Sequence, residues 1–555
     1  MTGNTEYSAW SPSREKAVAS ATRNAGVGFG RFIGAVGYAE NFRHAESWLK
    51  LGVHWLLSPW FWPSAVSLWL MLAVQVQASV EDRSWTLYRS PHVDVLAVGD
   101  KKSASTLMRD IALFRAVVSW LADIPELPAE TRRVTFLVLE EADDVGRLFN
   151  TPVGINGLAK SDLAGDFMVV VRARHASTFI RTNQVVFHEY VHQLLQMRSG
   201  SRQPTWYSEG IADFLSTLSV EGESVRLGAA PAVRVWSLRH ETPMKLEDVL
   251  RVGSAFNLSG EDRNRFYARA WLLVHHLLLA RDRIDRRYPP RLALYLQKYD
   301  AGLDSLDAFV TTFGEIYPQL SGLLDEHVSR AGMVEYPLST FSFDTSFETR
   351  SLTALERTLK LAGYIREFNA VEAVRLYRRA LDKSKNHPQA MAGLAVALGK
   401  SGDFTGAFVT LQAAQALAPD DFDVMMESGR LRLIQCRAEP NVCRTTHGRL
   451  AIAADFAAAY QLRPDDVEAK TRHAQYLLFT PERMQALPLL LEARIAAPWS
   501  FDIVQSLGLA YLARGDLVRA RGYLEKALGW AVDYPELKAQ LTTLLSGIEA
   551  LEQRQ

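Results

Sequence analysis

Val185-Val186-Phe187-His188-Glu189-Tyr190-Val191-His192-Gln193-Leu194-Leu195 reads as a helix carrying the pattern H-E-x-x-H. Residues four apart on a helix stand one turn apart on one face, so the imidazoles of His188 and His192 can grip a single cation. Glu189 sits beside them, where a carboxylate can take a proton from a water that the cation holds. A third ligand is needed. Seventeen residues after His192 stands Glu209, within Trp206-Tyr207-Ser208-Glu209-Gly210-Ile211-Ala212-Asp213. The turn-rich stretch Ser199 to Pro204 separates two helical patterns, which lets Glu209 return across from the histidines on an antiparallel helix. Two histidines and a glutamate make an open zinc site with a fourth position left for water, and one Zn2+ per chain is the expectation. Asp213, one turn after Glu209, is placed to accept the outer N–H of a ligating histidine and hold its tautomer. Gly210 lacks a side chain, so the two metal-bearing helices are expected to approach closely there.

This constellation resembles the gluzincin metallopeptidases. Trp206-x-x-Glu209-Gly210-x-Ala212 is similar to the peptidase MA-like proteins of bacteria, and Glu209-x-x-x-Asp213 resembles the ligand helix of thermolysin. The competing metzincin pattern requires Gly and His where this chain has Leu195 and Arg198. The likeness covers residues 90 to 330, with its strong motifs confined to 188 to 213. It implies an α+β zincin-like metallopeptidase domain that hydrolyses peptide bonds. Tyr267, in Tyr267-Ala268-Arg269-Ala270-Trp271, falls where M1-type aminopeptidases carry a tyrosine that stabilises the tetrahedral intermediate, which implies an oxyanion donor. A core tyrosine with a satisfied hydroxyl is the other reading of that residue. No G-A-M-E-N run is present, so an amine-binding device is not expected, and exopeptidase and endopeptidase both stay open.

Upstream, His92 to Val98 and Arg133 to Glu140 read as strands flanking a helix near Ser103 to Leu121. Phe167 to Arg174 reads as a further strand, either the sheet edge along which a gluzincin lays its substrate or an interior strand. His275 and His276 are adjacent in an apolar helix, and neighbours diverge by about 100°, so one is expected in the core and one at the surface. Glu140, Glu141, Asp143 and Asp144 read as a solvated turn.

The chain has 555 residues, too many for one core, so at least two domains are expected. Lysine plus arginine equals aspartate plus glutamate at 62 each, which gives no net field toward nucleic acid, and no nucleic-acid partner is expected. Leu51 to Val76 contains no Asp, Glu, Lys or Arg. Pro59 and Pro63 interrupt it and leave Ser64 to Val76 as an apolar run that suits a signal segment better than a full span. Arg14, Lys16, Arg23, Arg31, Arg43 and Lys50 precede it, which orients the N-terminus to the cytoplasm. Residues 1–80 are thus expected to be a leader, cleaved or retained as a membrane anchor. Everything beyond would then be periplasmic or otherwise outside the cytoplasm.

Residues 81–345 form the expected peptidase-like domain, and 346–555 an all-α repeat domain. In that last third Pro388, Pro419, Pro464 and Pro498 are separated by 31, 45 and 34 residues, which is tetratricopeptide spacing with one insertion. Leu507-Gly508, Tyr511, Ala520, Leu524 and Ala527 fall at the packing offsets of that repeat, as do Leu394, Ala407, Leu411 and Ala414. The insertion holds Cys436 and Cys443, either bonded to each other or free. A stacked array presents a concave face for a peptide or partner protein. Two functions therefore stand side by side: a zinc peptidase with a partner-binding array, and a repeat scaffold whose zincin domain is catalytically silent. A base at Glu189 favours the first.

Overall fold

The computed structural model describes residues 79–98, 101–122, 133–151, 157–171, 179–199, 203–279, 288–329, 331–531 and 535–553. Residues 1–78 of the leader, and with them the apolar stretch Leu51 to Val76, lie outside the described residues. Among the described residues no helix is long and apolar enough to cross a membrane.

A six-stranded sheet, ordered β4-β5-β3-β2-β1-β9, organises the N-terminal part. Its strands are β1 (Trp85–Arg89), β2 (Val93–Val98), β3 (Val134–Leu139), β4 (Gly157–Asp162), β5 (Gly165–Val171) and β9 (Glu348–Ser351). β2, β3 and β5 run parallel; β4 pairs antiparallel with β5, β1 with β2, and β9 with β1. The interior strand β5 takes in Phe167 to Val171 of the run read to Arg174, whose last three residues lie outside the described residues, and the hairpin partner β4 takes the edge. β9 carries the sheet past residue 345, and buried Val80 accepts a hydrogen bond from Trp85 Nε1 at 2.9 Å. Both expected domain edges therefore need correction, because strand pairing and side-chain packing recruit flanking segments that composition does not mark.

Side chains alternate across the sheet with period two. Val134, Phe136 and Val138 join one core with helices α1 (Lys101–Ala122) and α3 (Phe179–Ser199); Leu137 and Leu139 join a second core with α2 (Ala142–Phe149). That second core continues into the helical array. Phe149 and Phe167 meet Phe368, with ring centroids 5.5 and 5.8 Å apart. The parallel strands are thus covered on both faces, as parallel sheets require.

After α3 come α4 (Thr205–Leu215), the strands β6 (Ser219–Glu221) and β7 (Ser224–Leu227), and then α5 (Ala232–His240), α6 (Leu246–Arg251) and α7 (Gly260–Leu279). Three further helices, α8 (Tyr288–Asp300), α9 (Ser305–Phe313) and α10 (Tyr317–His327), complete the core. β8 (Val334–Pro337) closes a small sheet with β6 and β7.

From residue 354 the described chain is helical. The pairs are α11 (Ala354–Ile365) with α12 (Ala370–Lys383), α13 (Pro388–Lys400) with α14 (Phe404–Leu417), and α15 (Phe422–Ala438) with α17 (Thr446–Leu462). They continue with α18 (Val467–Leu477) and α19 (Ala486–Ala496), then α20 (Phe501–Ala513) and α21 (Leu517–Trp530), and α22 (Pro535–Glu552) closes the array. The insertion is the short α16 (Pro440–Arg444) plus a lengthened α15. Thr353, Asn369, Asp403, Asp421, Asp466, Ser500 and Asp516 each cap a helix of the array, the side chain accepting a backbone N–H. Gly402 and Gly515 take φ of +94° and +77° at equivalent turns. A Cβ on Gly508 would meet Leu524 Cγ at 2.6 Å, which explains a glycine at that crossing. Pro388 opens α13 at its first turn, where the missing N–H costs nothing. Cys436 is disulfide-bonded.

Candidate metal centre

Helix α3 is oriented by its apolar side. Phe187, Tyr190, Val191 and Leu194 are buried, with Phe187 stacked on Phe114 at 4.5 Å and Tyr190 edge-on to Phe136 at 5.4 Å. α4 packs against α3 through its own apolar face, and buried Trp206 donates from Nε1 to the Tyr295 hydroxyl at 2.8 Å. Between them, one ligand atom each of His188, His192 and Glu209 lie within 4.8 Å of one another. His188 Nε2 is 3.1 Å from Glu209 Oε2 and 3.2 Å from His192 Nε2; His192 Nε2 is 3.5 Å from the same oxygen. Three lone-pair atoms converging this closely repel one another unless a proton or a cation lies among them.

The opposite edge of each imidazole is also engaged. Asp213 Oδ1 lies 3.0 Å from His188 Nδ1, and Ser208 Oγ lies 3.1 Å from His192 Nδ1. Buried Arg234, on α5, donates from Nε to Asp213 Oδ2 at 2.7 Å and from Nη2 to Oδ1 at 3.3 Å, with its guanidinium 4.7 Å from the Tyr267 ring centroid. Neither Ser208 nor Arg234 is marked by the sequence pattern. Ser208 adjoins Glu209 and was open to notice, whereas Arg234 reaches Asp213 only through the turn of β6 and β7. The Tyr267 ring stands 6.4 Å from that of His188, and burial pushes its phenol above the ordinary range, with the Glu209 charge adding to the shift.

Burial works against a charged ring at His188, but hydrogen bonds to Asp213 and Glu209 outweigh it and hold its pKa up to about 10. Burial likewise opposes the Glu209 anion, yet the His192 charge and the His188 hydrogen bond pull its pKa below the usual carboxylate range. The centre thus keeps Glu209 and Asp213 ionised around a proton on His188. Glu189 differs: burial pushes its pKa up, and its Oε1 is buried with no hydrogen-bond partner among the described residues. Two imidazoles and a carboxylate, oriented from behind and accompanied by this orphaned oxygen, form a donor set that fits zinc.

Three expectations need correction. A Cβ on Gly210 would sit 2.5 Å from Ala270 O and 2.7 Å from Val274 Cγ2, so the close approach is between α4 and α7, not between α4 and the histidine helix. Gly210→Ala is expected to cost about 1–3 kcal/mol, because a backbone oxygen cannot step aside as a side chain can; urea denaturation measures it. His275 and His276 are both buried, because α7 is surrounded on all sides. His275 Nε2 lies 3.0 Å from Gly228 O and 2.9 Å from Gly332 O, and Nδ1 lies 2.8 Å from His327 Nε2. The acidic turn is not simply solvated either: Arg83 bonds Asp144 at 3.0 Å and Glu140 at 3.5 Å, pinning the start of the fold to α2.

Residues 183–286, which hold this whole centre, match the family described as "Protein of unknown function (DUF1570)". Residues 364–428 match the tetratricopeptide repeat. Among curated proteins, the chain is 29% identical over 208 residues to Protein FlbA of Caulobacter vibrioides, a stretch that is 34% of this chain and 33% of that protein. The match therefore spans about a third of that relative's length. Among solved structures, TTC0263, a thermophilic TPR protein of Thermus thermophilus, is 21% identical with a TM-score of 0.28, covering 34% of this chain and 98% of that one. Yeast Tom70 is 13% identical with a TM-score of 0.25, covering 82% and 97%. The C-terminal part of the chain carries tetratricopeptide repeats, joined to an N-terminal mixed α/β region.

Proposed function

We propose that the chain is a zinc-dependent peptidase of gluzincin type whose repeats bind a protein partner or the substrate, and that residues 51–76 deliver it across or to a membrane. The observation that carries the reading is the convergence of His188, His192 and Glu209 beside the unpartnered, buried Glu189 Oε1. His188, His192 and Glu209 would hold the ion, which supplies Lewis acidity toward a carbonyl and toward water. Glu189, uncomfortable as an isolated buried anion, accepts the proton of the attacking water and passes it to the leaving amine. Asp213, held by Arg234, keeps the Nδ1 proton on His188, so that Nε2 faces inward. Tyr267, whose phenol stays protonated, is the candidate donor to a developing oxyanion.

Elemental analysis of the purified chain tests the reading. One zinc per chain in the parent and none in His192→Ala supports it; a folded parent with no stoichiometric metal turns the assignment toward the scaffold function. The pH dependence has a definite sign. His188 holds a proton below about 10 in the metal-free centre, and metal binding must expel it. Apparent zinc affinity is therefore expected to rise about tenfold per pH unit between pH 6 and 8, measured by chelator competition.

A further inference from the structure

The first described residues are bound to the second helix of the first repeat. Val80 and Glu81 are buried. The Glu81 carboxylate accepts from Arg375 at 2.5 Å and from Arg379 at 3.1 Å, Asp82 pairs with Arg379, and the Glu81 carbonyl accepts from Arg357 Nε at 2.7 Å. Arg375 and Arg379 lie on α12, so the chain enters the fold against that helix. Only Gln77 and Ala78 separate Ser79 from the uncharged stretch Leu51 to Val76. Three residue steps reach at most about 10 Å. An apolar stretch held in a bilayer therefore keeps Ser79, and α12 beside it, close to the lipid surface.

The exposed side of α12 suits such a neighbour. Val371, in its first turn, is 73% exposed. Residues 370–385 carry five cations, Arg375, Arg378, Arg379, Lys383 and Lys385, against the two acids Glu372 and Asp382. Glu372 is taken up by Arg375 at 2.7 Å and by Arg147 at 3.5 Å, while Arg378, Lys383 and Lys385 are exposed. Val371, Arg375 and Arg378 recur at helical spacing along one face. The second helices of later repeats also expose aliphatic side chains: Val409 on α14, Ile495 on α19 and Val518 on α21 are 63%, 81% and 80% exposed. Among the described residues, no large apolar side chain is exposed on the first helices α11, α13, α15, α18 and α20.

We propose that the outer face of α12 docks on an anionic lipid bilayer beside the point where the leader enters it, so that the first repeat and the Glu81 clamp hold the fold at the membrane surface. Aliphatic side chains set among arginine and lysine match that interface: the apolar groups enter the acyl boundary and the cations meet lipid phosphate. Salt screens such attraction beyond about 8–10 Å, so the patch must lie as near the lipid as the two-residue link holds it. A basic patch adds a second signal to the apolar one and firms the attachment. The proposal rests on the leader reading above and is independent of the metal.

The test uses the full chain in vesicles of equal parts phosphatidylcholine and phosphatidylglycerol, with a bimane probe on Val371→Cys. Cys436 is disulfide-bonded, so the probe takes the new thiol. Lipids brominated near the headgroup end of the acyl chain are expected to quench the probe at least twofold. Arg378→Glu with Lys383→Glu and Lys385→Glu is expected to abolish most of the quenching while the chain still floats with the vesicles. Vesicles of phosphatidylcholine alone make the same comparison without any charge variant. A chain that floats but shows no quenching overturns the docking and leaves the leader reading in place. A chain that stays in solution overturns both. Quenching that is equal in phosphatidylcholine alone, or unchanged by the charge reversals, overturns the assignment to anionic lipid.

Discussion

Glu189→Gln is expected to lower peptide hydrolysis by about 10²–10⁴-fold while the chain keeps its zinc. The amide preserves the shape of the side chain and its place on α3, so His188, His192 and Glu209 keep their positions. It cannot accept a proton. In the parent, burial pushes the Glu189 pKa up and its Oε1 has no partner among the described residues, so the carboxylate is poised to take a proton from whatever enters the centre. The measurement pairs zinc content with turnover of a peptide library by parent and variant. Retained zinc with lost turnover assigns the base. Retained turnover removes Glu189 from the chemistry, and joint loss of zinc and turnover assigns it to holding the site together.

Arg234→Ala is expected to destabilise the metal-free chain by about 3–5 kcal/mol, the cost of stranding a buried carboxylate. Asp213 is 6% exposed, and Arg234, itself 4% exposed, contributes two of the hydrogen bonds that hold it ionised. Burial opposes the Asp213 anion, and the Arg234 charge is the largest of the effects that keep its pKa low. Without Arg234, Asp213 must take up a proton or admit water, and either change loosens its grip on His188 Nδ1. Urea denaturation of the parent, Arg234→Ala and Arg234→Ala with Asp213→Asn measures it. The double variant is expected to recover part of the loss, because the stranded charge is gone. A single-variant loss under about 1 kcal/mol would show the pair to be open to solvent and would remove Arg234 from the support of the centre.

The parts legible without a structure were those decided over one or two turns of chain. The spacing of His188 and His192 sets both rings on one side of a helix whatever surrounds it, and the turn before Pro204 marks where the chain doubles back toward Glu209. Short apolar runs marked β2, β3 and β5 as strands for the same reason. Position within the sheet was not legible: nothing in Gly165–Val171 says that Gly157–Asp162 will pair on its outer side and make it interior. His275 and His276 misled because helical periodicity assumes one wet face, and α7 has none along that stretch.

The sequence by itself determined the helix of the two histidines, the placement of Glu189 beside them and the succession of capped helix pairs behind Pro388. All three follow from local backbone geometry and from side-chain spacing along a single element. Tertiary structure alone decided that Gly210 faces Ala270, that Arg234 holds Asp213 and that Leu163 packs on the apolar cluster of the last repeats. Those pairings join segments tens to hundreds of residues apart. Which partner a residue meets at that range is set by how whole elements pack together.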